Sequence, residues 1–117
     1  STGKDAILGI GSNLSFENSL FQGDGNGIKA YDGDLVLKSS CLESQAKVWA
    51  QDAYVSLASV RSIESELPFL FRYCYTEING LSANGQENSQ LQLVGGMYKS
   101  DEASEGSLKT LYDAYRL

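Results

Sequence analysis

The chain has 117 residues, 42% of them hydrophobic and 21% charged, with a formal net charge of −6 and no His. That size and composition fit a single domain, 1–117, with a modest core, and exclude a disordered chain. The acidic balance disfavours DNA and anionic membranes, no apolar run is long enough to cross a bilayer, and no leader-like segment opens the sequence.

In chain order, residues 1–22 predict an N-terminal β-hairpin. Ala6, Leu8 and Ile10 alternate with Ile7, then come Leu14, Phe16, Leu20 and Phe21, with turn-like residues at 11–13 and 17–19. A Gly/Asn loop covers 23–27. Residues 28–31 and 35–38 read as short strands around the turn pair Asp32-Gly33. Residues 42–64 fit either a helix, with Leu42, Ala46, Trp49, Ala53, Leu57 and Val60 on one stripe, or strands. Residues 69–78 form the clearest strand, with Phe69, Phe71, Tyr73 and Tyr75 pointing one way. A loop spans 79–89, and 90–94 is a further strand within a sheet region of 23–99. Residues 100–117 predict a C-terminal helix, capped by Ser100 and carrying the stripe Leu108, Leu111, Tyr112 and Tyr115. No internal repeat, low-complexity tract or linker is visible.

The chemistry of catalysis is missing from this pattern. Without His the usual general base near neutral pH and the commonest metal ligand are lacking. Cys41 and Cys74 are too far apart for a zinc pattern and read as reduced, core-type residues. Placing Gly27 at the sixth position of a calcium loop puts Gly33 where an acid is required. Asp32 and Asp34 read as solvated turn residues. No catalytic residue, metal or cofactor is expected, and the chain is read as a binding protein rather than an enzyme.

Three segments in order resemble the coat proteins of small single-stranded RNA bacteriophages: residues 25–31; residues 53–61 followed by 69–78; and residues 88–99 running into Ser100-Asp101-Glu102. The resemblance spans roughly 25–112. It implies an α+β fold, an antiparallel β-sheet with the N-terminal hairpin and with the C-terminal α-helix packing on the sheet across a homodimer. Phe69, Phe71, Tyr73, Tyr75, Leu91 and Leu93 would form the apolar face, covered by Leu108, Leu111, Tyr112 and Tyr115. It further implies a capsid protein, made in the host cytoplasm, that self-assembles into a virion around single-stranded RNA. Ser59, Arg61, Arg72 and Asn88 would then sit where RNA contacts are expected. With net charge −6, such RNA binding would be modest and salt-sensitive. The chain departs from the family in its acidity and in ending after one helix rather than two. The alternative is a non-viral, acidic protein-binding adaptor or chaperone domain with a central helix at 42–64.

Overall fold

The computed structural model describes residues 7–22, 24–43, 45–63, 68–83 and 90–117. The chain winds as a β-solenoid. One sheet, here called sheet A, has the order β1 (Ile7–Ile10), β4 (Asp24–Tyr31), β7 (Gln45–Gln51), β10 (Phe69–Arg72), β13 (Leu91–Val94) and β15 (Leu108–Leu111). Sheet B runs β2 (Asn13–Glu17), β5 (Asp34–Lys38), β8 (Tyr54–Ala58), β11 (Tyr75–Asn79), β14 (Met97–Ser100) and β16 (Tyr115–Arg116). Sheet C has four strands, β3 (Leu20–Phe21), β6 (Cys41–Glu43), β9 (Arg61–Ile63) and β12 (Ser82–Ala83). The first four turns of the solenoid visit A, B and C in that order, the later ones only A and B, and the pairings are parallel throughout the described residues.

The sequence winds this way because of what stands at the corners. The A–B corner carries Gly11, Asp32, Asp52, Tyr73, Gly95 and Tyr112, and the B–C corner carries Asn18, Ser39, Ser59 and Gly80. All have positive φ, between 49° and 67°. One left-handed residue, or a pair at Gly95–Gly96 and Tyr112–Asp113, swings the chain by a corner instead of reversing it, and Gly, Asn and Asp tolerate that conformation best. The corners are also bonded coil to coil. Gly11 N donates to Tyr31 O (2.8 Å), Asp32 N to Gln51 O (3.2 Å), Asp52 N to Arg72 O (3.1 Å) and Tyr73 N to Val94 O (2.9 Å). The parallel ladder therefore continues around the bend, leaving few backbone groups unpaired.

Inward residues stack in rows along the axis. Ile28, Val48, Phe69 and Leu91 form one row, and Leu35, Val55 and Thr76 another; Leu37, Leu57 and Ile78 form a third, and all ten are buried. Phe69 and Phe71 meet edge to face, with ring centroids 6.2 Å apart. Stacked side chains of this kind hold a solenoid together mainly through neighbouring coils. Successive coils differ in length. Ile7 lies over Ile28, a step of 21 residues, whereas Ile28 lies over Val48, a step of 20. The register shift between Asn26 and Ile28 absorbs the difference at Gly27. A Cβ at Gly27 would approach Lys47 O to 2.9 Å, so only glycine fits that bulge.

Three expectations are corrected, and the alternatives left open at 42–64 are resolved. The antiparallel α+β fold is replaced by parallel strands, because alternation within a strand says nothing of the direction of its partner. The N-terminal hairpin is absent in the described part of 1–22: β1 pairs with β4 and β2 with β5, in different sheets. Of the two readings open at 42–64, the strands hold and the central helix does not: the described residues there make β6 to β9. The C-terminal helix is a 3₁₀ segment, Glu102–Ser107, followed by β15 and β16. Its serines serve the sheet instead of a helix. Leu81 N donates to Ser104 Oγ (2.9 Å), Ala83 N to Ser107 Oγ (3.0 Å) and Gly80 N to Asp101 Oδ2 (3.1 Å). These side chains satisfy the N–H groups that β12 and the corner before it would otherwise leave bare. On the last coil an Arg116–Glu105 ion pair links β16 to the 3₁₀ segment.

Candidate functional site

The expected aromatic face is divided by the A–B corner. Phe69 and Phe71 point inward and are buried with Leu91 and Leu93, and Leu108 packs against the same core. Tyr73 is the left-handed corner residue (φ 54°), and it shifts the alternation by one. Cys74 then points inward and Tyr75 outward. Tyr73, Tyr112 and Tyr115 are 58%, 79% and 63% exposed. Leu111 is half-buried beside Val94 on sheet A. The expected dimer row is thus part core and part outer surface.

The outward part forms a strip along the A–B corner. On sheet B, Tyr54, Tyr75, Met97 and Tyr115 occupy one outward row in four successive coils. Tyr54 and Tyr75 stack, with centroids 5.7 Å apart and planes 20° apart. The corner row beside them carries Tyr73 and Tyr112 on either side of Gly95. A Cβ at Gly95 would come within 2.7 Å of Cδ1 and Cε1 of Tyr73, so the Tyr73 ring lies down against bare backbone. Toward the N-terminus the same two rows change character, to Asp32 and Asp52 at the corner and Asn13 and Asp34 on the sheet. All three aspartates are exposed. Tyr75 Oη donates to Glu77 Oε1 (3.4 Å). Burial, reinforced by the Glu77 carboxylate, holds the Tyr54 phenol above its ordinary value, so it stays a neutral donor. The strip is an aromatic surface joined to an acidic one.

A second feature lies at the B–C corner, a groove of about 410 Å³ lined by Ser39, Ser40, Cys41, Ser59, Arg61, Gly80 and Ser82. It contains two of the residues placed by the coat-protein resemblance, Ser59 and Arg61. Arg72 stands elsewhere, on the outer row of sheet A beside Gln51 and Val94. Asn88 lies outside the described residues. Burial raises the Cys41 thiol pKa, with Arg61 working against the rise. Cys74, inside the solenoid, is pushed up by burial to about 11. Both thiols are free.

Among the described residues, no three His, Cys, Asp or Glu side chains gather as a metal site would require. No helix of the described residues is long and apolar enough to cross a membrane. The strip was missed in the sequence because its members come from four coils. The signal was present in the spacing of Tyr54, Tyr75, Met97 and Tyr115, but it has meaning only once the coil length is known. No family model, curated protein or solved structure matches the chain.

Proposed function

We propose that the chain is a non-catalytic binding module that docks an extended, basic segment of a partner protein along its A–B corner. The observation that carries this is the union of Tyr73, Tyr75, Met97, Tyr112 and Tyr115 with Asp32, Asp34 and Asp52 on two adjoining outward rows. Cationic side chains are drawn to tyrosine faces and to carboxylates alike, and an extended chain matches the strip's course along the solenoid. A net charge of −6 adds steering. This keeps the acidic protein-binding role weighed from the sequence and discards its central helix.

The test is fluorescence anisotropy of a labelled Lys/Arg-rich peptide against an acidic peptide of equal length. The basic peptide binds and the acidic one does not, and affinity falls with added salt. Tyr73→Ala with Tyr112→Ala removes two exposed cation–π partners at ~0.5–1 kcal/mol each, a loss of roughly fivefold to thirtyfold. Equal binding of both peptides, or a double variant that binds as tightly as the parent, would refute the assignment.

A second reading, self-association, is favoured by one specific observation. Leu8, Ile10 and Leu20, on the first described coil, are 58%, 66% and 51% exposed. Leu8 and Ile10 share the outward face of the edge strand β1, with Leu20 on sheet C of the same coil, and exposed apolar side chains at a strand edge favour contact with another copy. Assembly of this kind is what a shell-building, virion role would use. Sizing the purified chain at micromolar concentration gives a dimer or larger particle under this reading, and a monomer excludes it.

A further inference from the structure

The groove at the B–C corner has no part in the tyrosine strip, and its chemistry is of the opposite sign. Among the described residues its lining contains one guanidinium, Arg61, four serines and no carboxylate. Arg61 is exposed. No described carboxylate forms an ion pair with Arg61; the Arg116–Glu105 pair lies on the last coil. Glu43, on the strand paired with that of Arg61, accepts from Gln22 Nε2 at 2.7 Å.

The backbone sets the donors in place. Arg61 stands between Cys41 and Ser82 on the outward row of sheet C. Two residues before it, Ser59 turns the corner in the left-handed conformation (φ 56°), and Ser39 does the same one coil away (φ 49°). Ser59 Oγ lies 3.7 Å from where a Cβ of Gly80 would be, so the missing side chain at Gly80 leaves the groove open beside that hydroxyl. Ser40 is committed elsewhere: its Oγ donates to Lys38 O (2.9 Å) and accepts from Ser19 N (3.3 Å). The hydroxyls of Ser39, Ser59 and Ser82 have no such bond to a protein group among the described residues and flank the guanidinium.

We infer that this groove is an oxyanion site, in which the Arg61 fork and the hydroxyls of Ser39, Ser59 and Ser82 hold a phosphate-type group. Arginine presents paired donors in the geometry of two oxygens of such a group, and serine hydroxyls supply the remaining bonds. A tetrahedral oxyanion uses more of these donors than a flat carboxylate does. One cation in an acidic chain makes the site weak, so millimolar binding of the free ion is expected. The group can belong to a small phosphorylated molecule or to a single-stranded RNA backbone, and the two sources are separated by the experiment.

The folded chain, labelled with 15N, is titrated with sodium phosphate at constant ionic strength, with sodium chloride as control. Amide shifts confined to residues 39–41, 59–61 and 80–82 support the site. Arg61→Ala abolishes them, Arg61→Lys weakens binding several-fold, and Ser59→Ala with Ser82→Ala weakens it roughly tenfold. Arg72→Ala leaves the titration unchanged. Each variant is first matched to the parent in its urea midpoint. Loss of binding in Arg72→Ala equal to that in Arg61→Ala, or shifts that Arg61→Ala does not alter, would overturn the inference. Repeating the titration with a uridine oligonucleotide assigns the source. Tighter binding than phosphate, still dependent on Arg61, identifies RNA; no gain over phosphate identifies a small molecule.

Discussion

Stacked coils leave almost no room at the A–B corner, and three glycine substitutions separate the reasons. At Gly11, φ is +63° and nothing stands within 4 Å of an added Cβ. Gly11→Ala therefore meets only the left-handed penalty of about 1–2 kcal/mol, less ~0.4–1 kcal/mol recovered by stiffening the unfolded chain. Its net cost is about 1 kcal/mol. Gly33 has an ordinary φ, but an added Cβ would lie 2.2 Å from Ser12 O and 2.8 Å from Ser12 N of the neighbouring coil. To accommodate it the coils must separate where Asp34 N donates to Ser12 O (3.0 Å) and Tyr54 N to Gly33 O (2.9 Å). Two weakened bonds at ~1 kcal/mol each, with overpacking of ~1–3 kcal/mol, put Gly33→Ala at about 3–5 kcal/mol. Gly96 combines both effects, with φ +74° and a Cβ only 2.3 Å from Cys74 O, so it is costlier still. Urea unfolding followed by far-ultraviolet circular dichroism at constant m gives the three values. A Gly33→Ala variant as mild as Gly11→Ala would mean that residues 12 and 33 are not stacked, and the solenoid would be wrong.

Other expectations follow from the interior. Phe71→Ala, fully buried in the sheet A row, should cost about 3–5 kcal/mol, whereas Tyr112→Ala, 79% exposed, should stay within ~0.5 kcal/mol by the same urea assay. Thr76 is fully buried between Val55 and Tyr98, and its hydroxyl finds no partner among the described residues. Thr76→Val should therefore stabilise the chain by about 1 kcal/mol, read as a raised urea midpoint. The Cys74 thiol rises from 9.0 to about 11 on folding, so the folded state keeps its proton after the unfolded state has lost it. That stabilisation is complete below pH 9 and is lost as pH climbs toward 11; Cys74→Ala should flatten this part of the stability profile. Ser104→Ala with Ser107→Ala bares the N–H groups of Leu81 and Ala83, whose hydrogen exchange should quicken while the amide of Leu57 keeps its protection.

Much of the strand content was legible, and its arrangement was not. Alternation marks 69–71 as a strand because Phe69 and Phe71 do face one side. It fails at Tyr73, since a single left-handed residue shifts the phase and sends the chain into another sheet. Nothing local distinguishes that bend from a hairpin: Asp32-Gly33 is good turn chemistry for both. The repeat is not visible as sequence identity because a solenoid repeats size and side instead. The inward row Gly33, Ala53, Cys74, Gly96 shares only smallness, and the step from Leu91 to Leu108 shortens to 17 residues where the 3₁₀ segment replaces a sheet C strand. One trace was available. Asp32, Leu35, Leu37 and Ser39 recur 20 residues later as Asp52, Val55, Leu57 and Ser59. The C-terminal segment reads as a helix for a related reason. Ser100 and Asp101 look like helix-start residues because such side chains accept backbone N–H bonds; in the fold Asp101, with Ser104 and Ser107 beyond it, accepts from the corner and β12 instead.

The same corner physics explains where the candidate sites lie. A residue inside a strand answers to the core on one side and to the ladder on the other. A left-handed corner residue points outward, and its backbone bonds are met by the coils on either side whatever its side chain. The A–B corner can thus change from Asp32 and Asp52 to Tyr73 and Tyr112 without disturbing the winding, while the B–C corner holds Ser39 and Ser59 beside Arg61. Binding chemistry can vary along these two edges at little cost to the fold. Asp32→Asn with Asp52→Asn should therefore leave the urea midpoint nearly unchanged and still weaken a basic peptide. If that pair unfolded the chain, the carboxylates would belong to the fold, and the strip would lose the acidic half on which its partner was assigned.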